Sequence, residues 1–334
     1  MNRVRFLLFL LGGIFIFSSC VSLRTVSIDQ LEPAKISFPN EFRKVLVVNN
    51  VRNNSANVSE TLFNGDGKTA TEALAQGMAD ANYFDEIIIC DSALRTSENS
   101  IRAVGLQPSE ATSLANEFGV DMIVSMEELL LRTQKSLAYF PDFPLPEPVL
   151  DAHIKTVVRV YAPGREKPIV TALENDSIYW FLSQMSTSEE RIDEASKLGG
   201  EQIAAQLVPS WNTVQRYYYG GGSVDMRDAS VYVNQNQWEE AFSAWERAQK
   251  QKSKKVRMRS AFNMALYYEL HDDIENAENW LQEAESLLLE GKSEEELKGT
   301  LDYMLMAYYQ EELAKRKVSL QKLTIQMNRF NGDF

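Results

Sequence analysis

The sequence predicts a mixed α/β domain, a sheet with flanking helices, followed by an all-α domain of helical repeats. Three observations carry that prediction. Between Lys44 and Leu207, short β-branched runs alternate with segments of helical period, the pattern of strands joined by helices. At Tyr217–Ser223 the composition breaks, with Gly220, Gly221 and Gly222 in a row, and beyond it the β-branched runs cease. After the break one pattern of small and large side chains occurs twice, 36 positions apart, at Ala229 and again at Ala265. A chain of 334 residues, 44% of them hydrophobic, is long and apolar enough for two cores.

The first segment is an export signal. Arg3 and Arg5 precede an apolar run from Phe6 to Phe17, interrupted only by Gly12 and Gly13, and Ser18-Ser19-Cys20 follows. A basic head, a short apolar stretch and small residues before a cleavage point make a secretory signal peptide over residues 1–19. The run is too short to span a bilayer as a helix. A cysteine directly after the small residues resembles the bacterial lipobox, with Phe17 where leucine is usual. That resemblance implies cleavage before Cys20, lipidation of its thiol, and a membrane as partner through that lipid. Residues 21–38 show little periodicity and read as a lipidated tether. Residues 21–25 hold no acidic cluster, so the expected location is the periplasmic face of the outer membrane.

Removing the signal takes Arg3 and Arg5 with it and moves the formal charge from -13 to -15. A body this acidic argues against nucleic acid as a partner. With Cys20 lipidated, Cys90 has no disulfide partner, and its place at the end of Ile87-Ile88-Ile89-Cys90 predicts a buried thiol.

The α/β domain is expected over 39–217. Lys44–Asn49 is a first strand. Thr69 and Glu72 have capping-box spacing for a helix over 70–81, and 85–90 is a second strand. Pro108 opens a helix stopped by Gly119. A third strand starts at Asp121, runs to about Arg132 and enters a proline-rich loop, 141–148. Strands near 152–161 and 169–182 follow, joined by the turn 162–165. Ser186 and Glu189 cap a closing helix that Pro209 ends. Gly220–Gly222 read as a flexible linker over 218–223.

The helical domain is expected over 224–334. Ala229, Tyr232, Trp238, Ala241, Trp245 and Ala248 are matched by Ala265, Tyr268, Ile274, Ala277, Leu281 and Ala284. These residues resemble the tetratricopeptide repeat, with Ser253 in place of the usual final proline and a spacing two residues too long. A generic helical bundle is the alternative. Ser293 and Glu296 cap a further helical segment, with Leu297, Leu301, Met304 and Tyr308 expected on one face.

Chemistry is sparsely signalled. His153 and His271 lie in different domains and outside any metal-ligand spacing, so no metal or cofactor is expected. Gly67-Lys68-Thr69 follows a strand, but Leu62 stands where a phosphate-binding loop needs its first glycine. Asp85-Glu86 and Glu127-Glu128 are adjacent carboxylates; strand neighbours point to opposite faces, so neither pair can share one proton, and both pairs are expected as surface charge. The basic run from Arg247 to Arg259 reads either as helix-end charge or as a docking patch for an acidic partner. Tyr139, Phe140 and Phe143, in a proline-stiffened loop, are candidate partner-binding residues or a hairpin cover. Asn234, Asn263 and Tyr267 are candidates for an inner groove of the repeat helices.

Lys44–Asn49, Gly119–Val124 and Leu198–Leu207 together resemble the α/β domain of the curli secretion-channel lipoprotein and of the outer-membrane activator of penicillin-binding proteins. The whole assembly is similar to a Bacteroides-type lipoprotein family of unknown function. The resemblance implies a compartment and an organisation, with no catalytic residues to transfer. The expected function is a non-enzymatic lipoprotein acting as a protein–protein interaction scaffold. The alternatives are an oligomerising envelope-assembly or secretion component, and an enzyme of unrecognised type.

Overall fold

A computed structural model describes residues 23–51, 62–94, 104–184 and 186–328. The signal peptide and Cys20 lie outside the described residues. In chain order the elements are β1 Leu23–Glu32, β2 Lys44–Asn49, β3 Leu62–Asn64, α1 Gly67–Asp80, β4 Glu86–Cys90, α2 Pro108–Phe118, β5 Met122–Ala138, β6 Glu147–Tyr161, β7 Val170–Phe181, α3 Ser188–Leu207 and β8 Ser210–Tyr219. Helices α4 Val224–Asn234, α5 Trp238–Gln249, α6 Lys254–Leu270, α7 Ile274–Leu289, the single turn α8 Glu294–Leu297 and α9 Leu301–Met327 complete the chain. The predicted fold class is found: a mixed sheet with flanking helices, then an all-helical region.

The compact units divide the chain differently from the bounds read in the sequence. One is built from Leu31–Trp211 and from the chain beyond Leu320; the other takes the β1 residues up to Gln30 and Asn212–Ser319.

In the first unit the strand order is β4-β2-β5-β6-β7, with β3 beside β5. β2 runs parallel to β4 and β5, and β5, β6 and β7 form antiparallel hairpins. Helices α1 and α3 cover one face over a core that includes Val45, Val47, Leu74, Met78, Met122, Val124, Ile203 and Leu207. Helix α2 covers the other face only beside the parallel strands, over Leu46, Val48 and Ile123. β2 is therefore buried on both faces, which is why it reads as a continuous apolar run. Helices α1 and α3 cross closely at Gly200, where a Cβ would lie 2.3 Å from the Ala70 carbonyl oxygen.

The helix caps refine the sequence reading. Asp66, not Thr69, caps α1 by accepting from the amides of Lys68 and Thr69. Thr187 and Glu190 make the capping box of α3, one residue beyond the expected pair. Gly119 ends α2 in the left-handed conformation at φ 64°.

β5 is longer than expected and irregular. Its pairing with β6 jumps from Met126 to Glu128, so Glu127 is the extra residue of a β-bulge. The segment expected as a tether is also structured. β1 occupies Leu23–Glu32, Ala34 and Phe38 are buried, and the Gln326 side chain bonds the amide and carbonyl of Ala34 at 2.9 Å each.

In the second unit β1 pairs with β8. Thr213 bonds Asp29 and Gln215 bonds Ser27, so the residue numbers run in opposite senses, as antiparallel strands require. Helices α4 and α5 form one hairpin, α6 and α7 another. Ala229, Ala241, Ala248, Ala265, Ala277 and Ala284 are all fully buried, with Trp245 and Leu281 filling the space between helices. The two hairpin turns repeat as well: Asn236 and Asp272 both take φ 57°. The glycine run is not a free joint. Gly220 and Gly221 are buried, and Asn263 bonds both the amide and the carbonyl of Tyr219 at 2.8 Å.

Helix α9 turns most of the expected face outward. Leu297 is buried in α8, but Leu301, Met304 and Tyr308 face outward. The packing face is Leu305, Met306, Tyr309, Leu313 and Arg316. Apolar residues occupy both sides of this helix, so periodicity alone does not choose between them.

Candidate interaction surface

β5 and β6, with β7 beside β6 as far as Phe181, run out to a loop whose tip is apolar. Leu137 (66% exposed), Tyr139 (84%) and Leu145 (70%) project from it, with Phe143 and, from β7, Tyr179 also exposed. Phe140 is half-buried beneath them and acts as the buttress. Its ring lies 5.1 Å from Phe181, 5.3 Å from Tyr179 and 6.1 Å from Phe143. Pro141 and Pro144 restrict the backbone on either side of Phe143, and the Phe143 amide closes a turn onto the Phe140 carbonyl at 3.1 Å. The arrangement holds large apolar side chains in water on a rigid base, with little ordering entropy left to lose on binding. Of the predicted residues here, Tyr139 and Phe143 are accessible and Phe140 supports them.

Among the described residues no helix covers the face of β5–β7 away from α3 over its hairpin portion, and that face is polar. It forms an open groove of about 540 Å³ lined by Arg132, His153, Lys155, Asn175 and Ser177 among others. His153 shares a contact with Gln134 at 3.3 Å, and Lys155 pairs with Glu128 at 2.8 Å.

The groove candidates on the repeat helices do not come together. Asn234 is exposed at the end of α4. Asn263 is corrected: it is fully buried, and both ends of its amide are consumed by Tyr219, because β8 packs where an open groove was expected. Tyr267 is half-buried. Its hydroxyl donates to Glu239 at 2.7 Å and its ring stacks 4.3 Å from Phe242 and from His271. The basic run is dispersed: Arg247 pairs with Asp225, Lys254 with Glu290, and Arg259 is buried with its guanidinium 5.0 Å from the Tyr219 ring centre.

Two buried carboxylates were not legible in the sequence. Glu127, expected on the surface, is 2% exposed, because it lies on the α2 side of the sheet against Tyr161 and Arg159. Tyr161 donates to its Oε1 and Arg159 to its Oε2, each at 2.5 Å, and the Leu106 amide donates to the Tyr161 hydroxyl at 3.2 Å. Burial first, then the bond and charge of Glu127, push the Tyr161 hydroxyl up to about 12. This cluster lies beyond the carboxyl ends of the parallel strands, where open α/β sheets place ligands. Here both carboxylate oxygens are taken, and the cluster pins the chain entering α2. In the helical unit, Glu269 receives Arg216 at 2.8 Å, Tyr309 at 2.8 Å and Gln30 at 2.9 Å. Cys90, expected buried, is half-buried, because β4 is an edge strand.

Residues 42–219 match the family model described as Domain of unknown function (DUF8603). The chain belongs to this DUF8603 family. The matched segment thus runs from two residues before β2 to the last residue of β8. Residues 227–315 match a second model, Domain of unknown function (DUF6340). No curated protein matches the chain. Among solved structures, a PelC dodecamer from Paraburkholderia phytofirmans is similar at 12% identity, over 55% of this chain and 99% of that one, with a TM-score of 0.25. The hypothetical protein CT253 from Chlamydia trachomatis is similar at 14% identity, over 49% and 95%, with a TM-score of 0.26. A minor lipoprotein from Acinetobacter baumannii is similar at 8% identity, over 51% and 95%, with a TM-score of 0.22. At TM-scores this low none of the three assigns an activity or a partner. No helix among the described residues is long and apolar enough to cross a membrane.

Proposed function

We propose that this DUF8603 chain is a non-enzymatic lipoprotein, held at the periplasmic face of the outer membrane through acylated Cys20, that works as a protein–protein interaction scaffold. The observation that carries the scaffold reading is the aromatic tip. Tyr139, Phe143 and Leu145 are exposed together on a buttress of Phe140 and Phe181, an arrangement whose evident use is contact with another apolar surface. The helical hairpins, read as tetratricopeptide-like units, supply a second surface of the kind used by scaffolds. The buried carboxylates support the non-enzymatic reading, since Glu127 and Glu269 spend their oxygens on Arg159, Tyr161, Arg216 and Tyr309. The anchor rests on the lipobox-like Ser18-Ser19-Cys20.

A photo-crosslinking residue at Tyr139 in intact cells tests the scaffold. A discrete protein adduct, lost on Phe143→Ser and Leu145→Ser substitution in a protein of unchanged stability, is the expected result. Labelling of lipid or solvent alone would refute it. For the anchor, Cys20→Ala should release the protein from the membrane fraction; unchanged processing and flotation would refute lipidation.

A further inference from the structure

The outward face of α9 carries an ordered seam. Leu301, Met304, Tyr308 and Val318 are exposed, and so are Glu311 and Lys315 between them. Positions 301, 304, 308, 311, 315 and 318 alternate steps of three and four, the spacing of the apolar seam in a coiled coil. The same spacing reaches Lys322 and Ile325 in the sequence. Ala307 and Ala314, both exposed and small, flank it and leave room for close approach. These side chains lie opposite the packing face of Leu305, Tyr309 and Leu313, and among them Tyr308 keeps one edge contact within the chain, its ring 5.9 Å from that of Tyr217.

We propose that this seam docks a second copy of the chain, with two α9 helices antiparallel about a two-fold axis level with Leu313. The charge pattern selects that occupant and that direction. Reversing the seam about Leu313 sets Glu311 against the partner's Lys315, and Lys315 against the partner's Glu311. Tyr308 then meets the partner's Val318, and Leu301 the partner's Ile325. Met304 meets the aliphatic stem of the partner's Lys322, an ammonium that within one chain donates to the Lys35 carbonyl at 3.2 Å. A parallel pair would instead set Glu311 on Glu311 and Lys315 on Lys315, two like-charge layers at the centre of the seam. Within one chain Lys315 already holds Glu311 at 2.8 Å and Glu312 at 2.9 Å, so antiparallel docking closes a ring of alternating charge. The charges set direction and register, and the apolar layers on either side supply the affinity.

Sedimentation equilibrium of the full-length chain in detergent, together with carbodiimide coupling of mixed light and 15N-heavy protein, tests the dimer. The expected results are a reversible dimer and hybrid light–heavy peptides joining Glu311 to Lys315. Glu311→Lys should weaken dimerisation at least about tenfold, and Glu311→Lys with Lys315→Glu should restore it, because the exchanged pair is complementary again. Val318→Asp should abolish the dimer with the circular dichroism spectrum unchanged. A monomer at all concentrations, cross-links confined to chains of one isotope, or a Glu311→Lys variant that dimerises as well as the native chain would each overturn the proposal.

Discussion

Removing the guanidinium of Arg216 should be among the most damaging single changes in the helical unit. Its side chain is 5% exposed and that of Glu269 is fully buried. Arg216 donates Nε to Glu269 at 3.0 Å and Nη2 at 2.8 Å, and Nη1 reaches Glu312 at 3.2 Å. Arg216→Met fills similar volume but strands a buried carboxylate with only the neutral donors Gln30 and Tyr309. Breaking one side of such a pair costs about 3–5 kcal/mol, because the surviving charge keeps its desolvation penalty. That lowers the folding equilibrium by about a hundredfold to several thousandfold. Urea unfolding followed by tryptophan fluorescence reads the loss, with fully buried Trp245 as the reporter in the same unit. The decisive arm is Arg216→Met with Glu269→Gln. Glutamine keeps an acceptor for Tyr309 and Gln30 but carries no charge, so the double variant should regain most of the stability. If the double variant is as weak as Arg216→Met, or if the single change costs less than about 1 kcal/mol, the stranded-charge reasoning is wrong.

Trp245→Ala should cost about 3–5 kcal/mol in the same assay, since it empties a fully buried site between α5 and its neighbours. Gly200→Ala should cost about 1–3 kcal/mol and lower the melting temperature, because its Cβ would meet the Ala70 carbonyl at 2.3 Å; unchanged melting would mean that α1 and α3 can move apart. At alkaline pH the Tyr161 hydroxyl, pushed up from 10.0 to about 12 by burial and Glu127, holds its proton more tightly folded than unfolded. Its contribution is therefore fully present below about pH 10 and is lost as pH rises towards 12. Tyr161→Phe should flatten that alkaline decline, and an identical slope in the variant would contradict the assignment.

What was legible in the sequence follows the physics of each element. β2 was read residue for residue because burial on both faces leaves an unbroken apolar run. The aromatic tip was visible because Pro141 and Pro144 rule out a strand and leave Phe143 without a core to join. The repeat was visible because close helix crossings demand alanine at fixed places. β1 and β8 were missed, since a two-stranded ladder with polar Asp29, Ser27, Thr213 and Gln215 on one side has no apolar alternation strong enough to register. Missing β8 then led to the error at Asn263, whose partner is that strand's last residue. Glu127 was misplaced for a separate reason: a carboxylate reads as surface charge, and the partners that bury it, Arg159 and Tyr161, are more than thirty residues away in sequence. Helical spacing places Leu301, Met304 and Tyr308 on one face of α9 but does not say which of its two apolar faces packs.

The bulge at Glu127 has a consequence for how this family can vary. Before it, even-numbered residues of β5, Met122, Val124 and Met126, enter the main core; after it, odd-numbered Leu129 and Leu131 do. One strand thus serves two architectures, a doubly covered parallel sheet and a hairpin with an open face, and the extra residue is the coupling between them. Deleting a single residue there would not merely remove a buried ion pair. It would put Leu129 and Leu131 in water and drive Leu130 and Arg132 inward along the whole hairpin. The two halves of β5 are therefore free to change their side chains independently, but not their length, and a one-residue gap in a relative at this point should be accompanied by a second one nearby that restores the count.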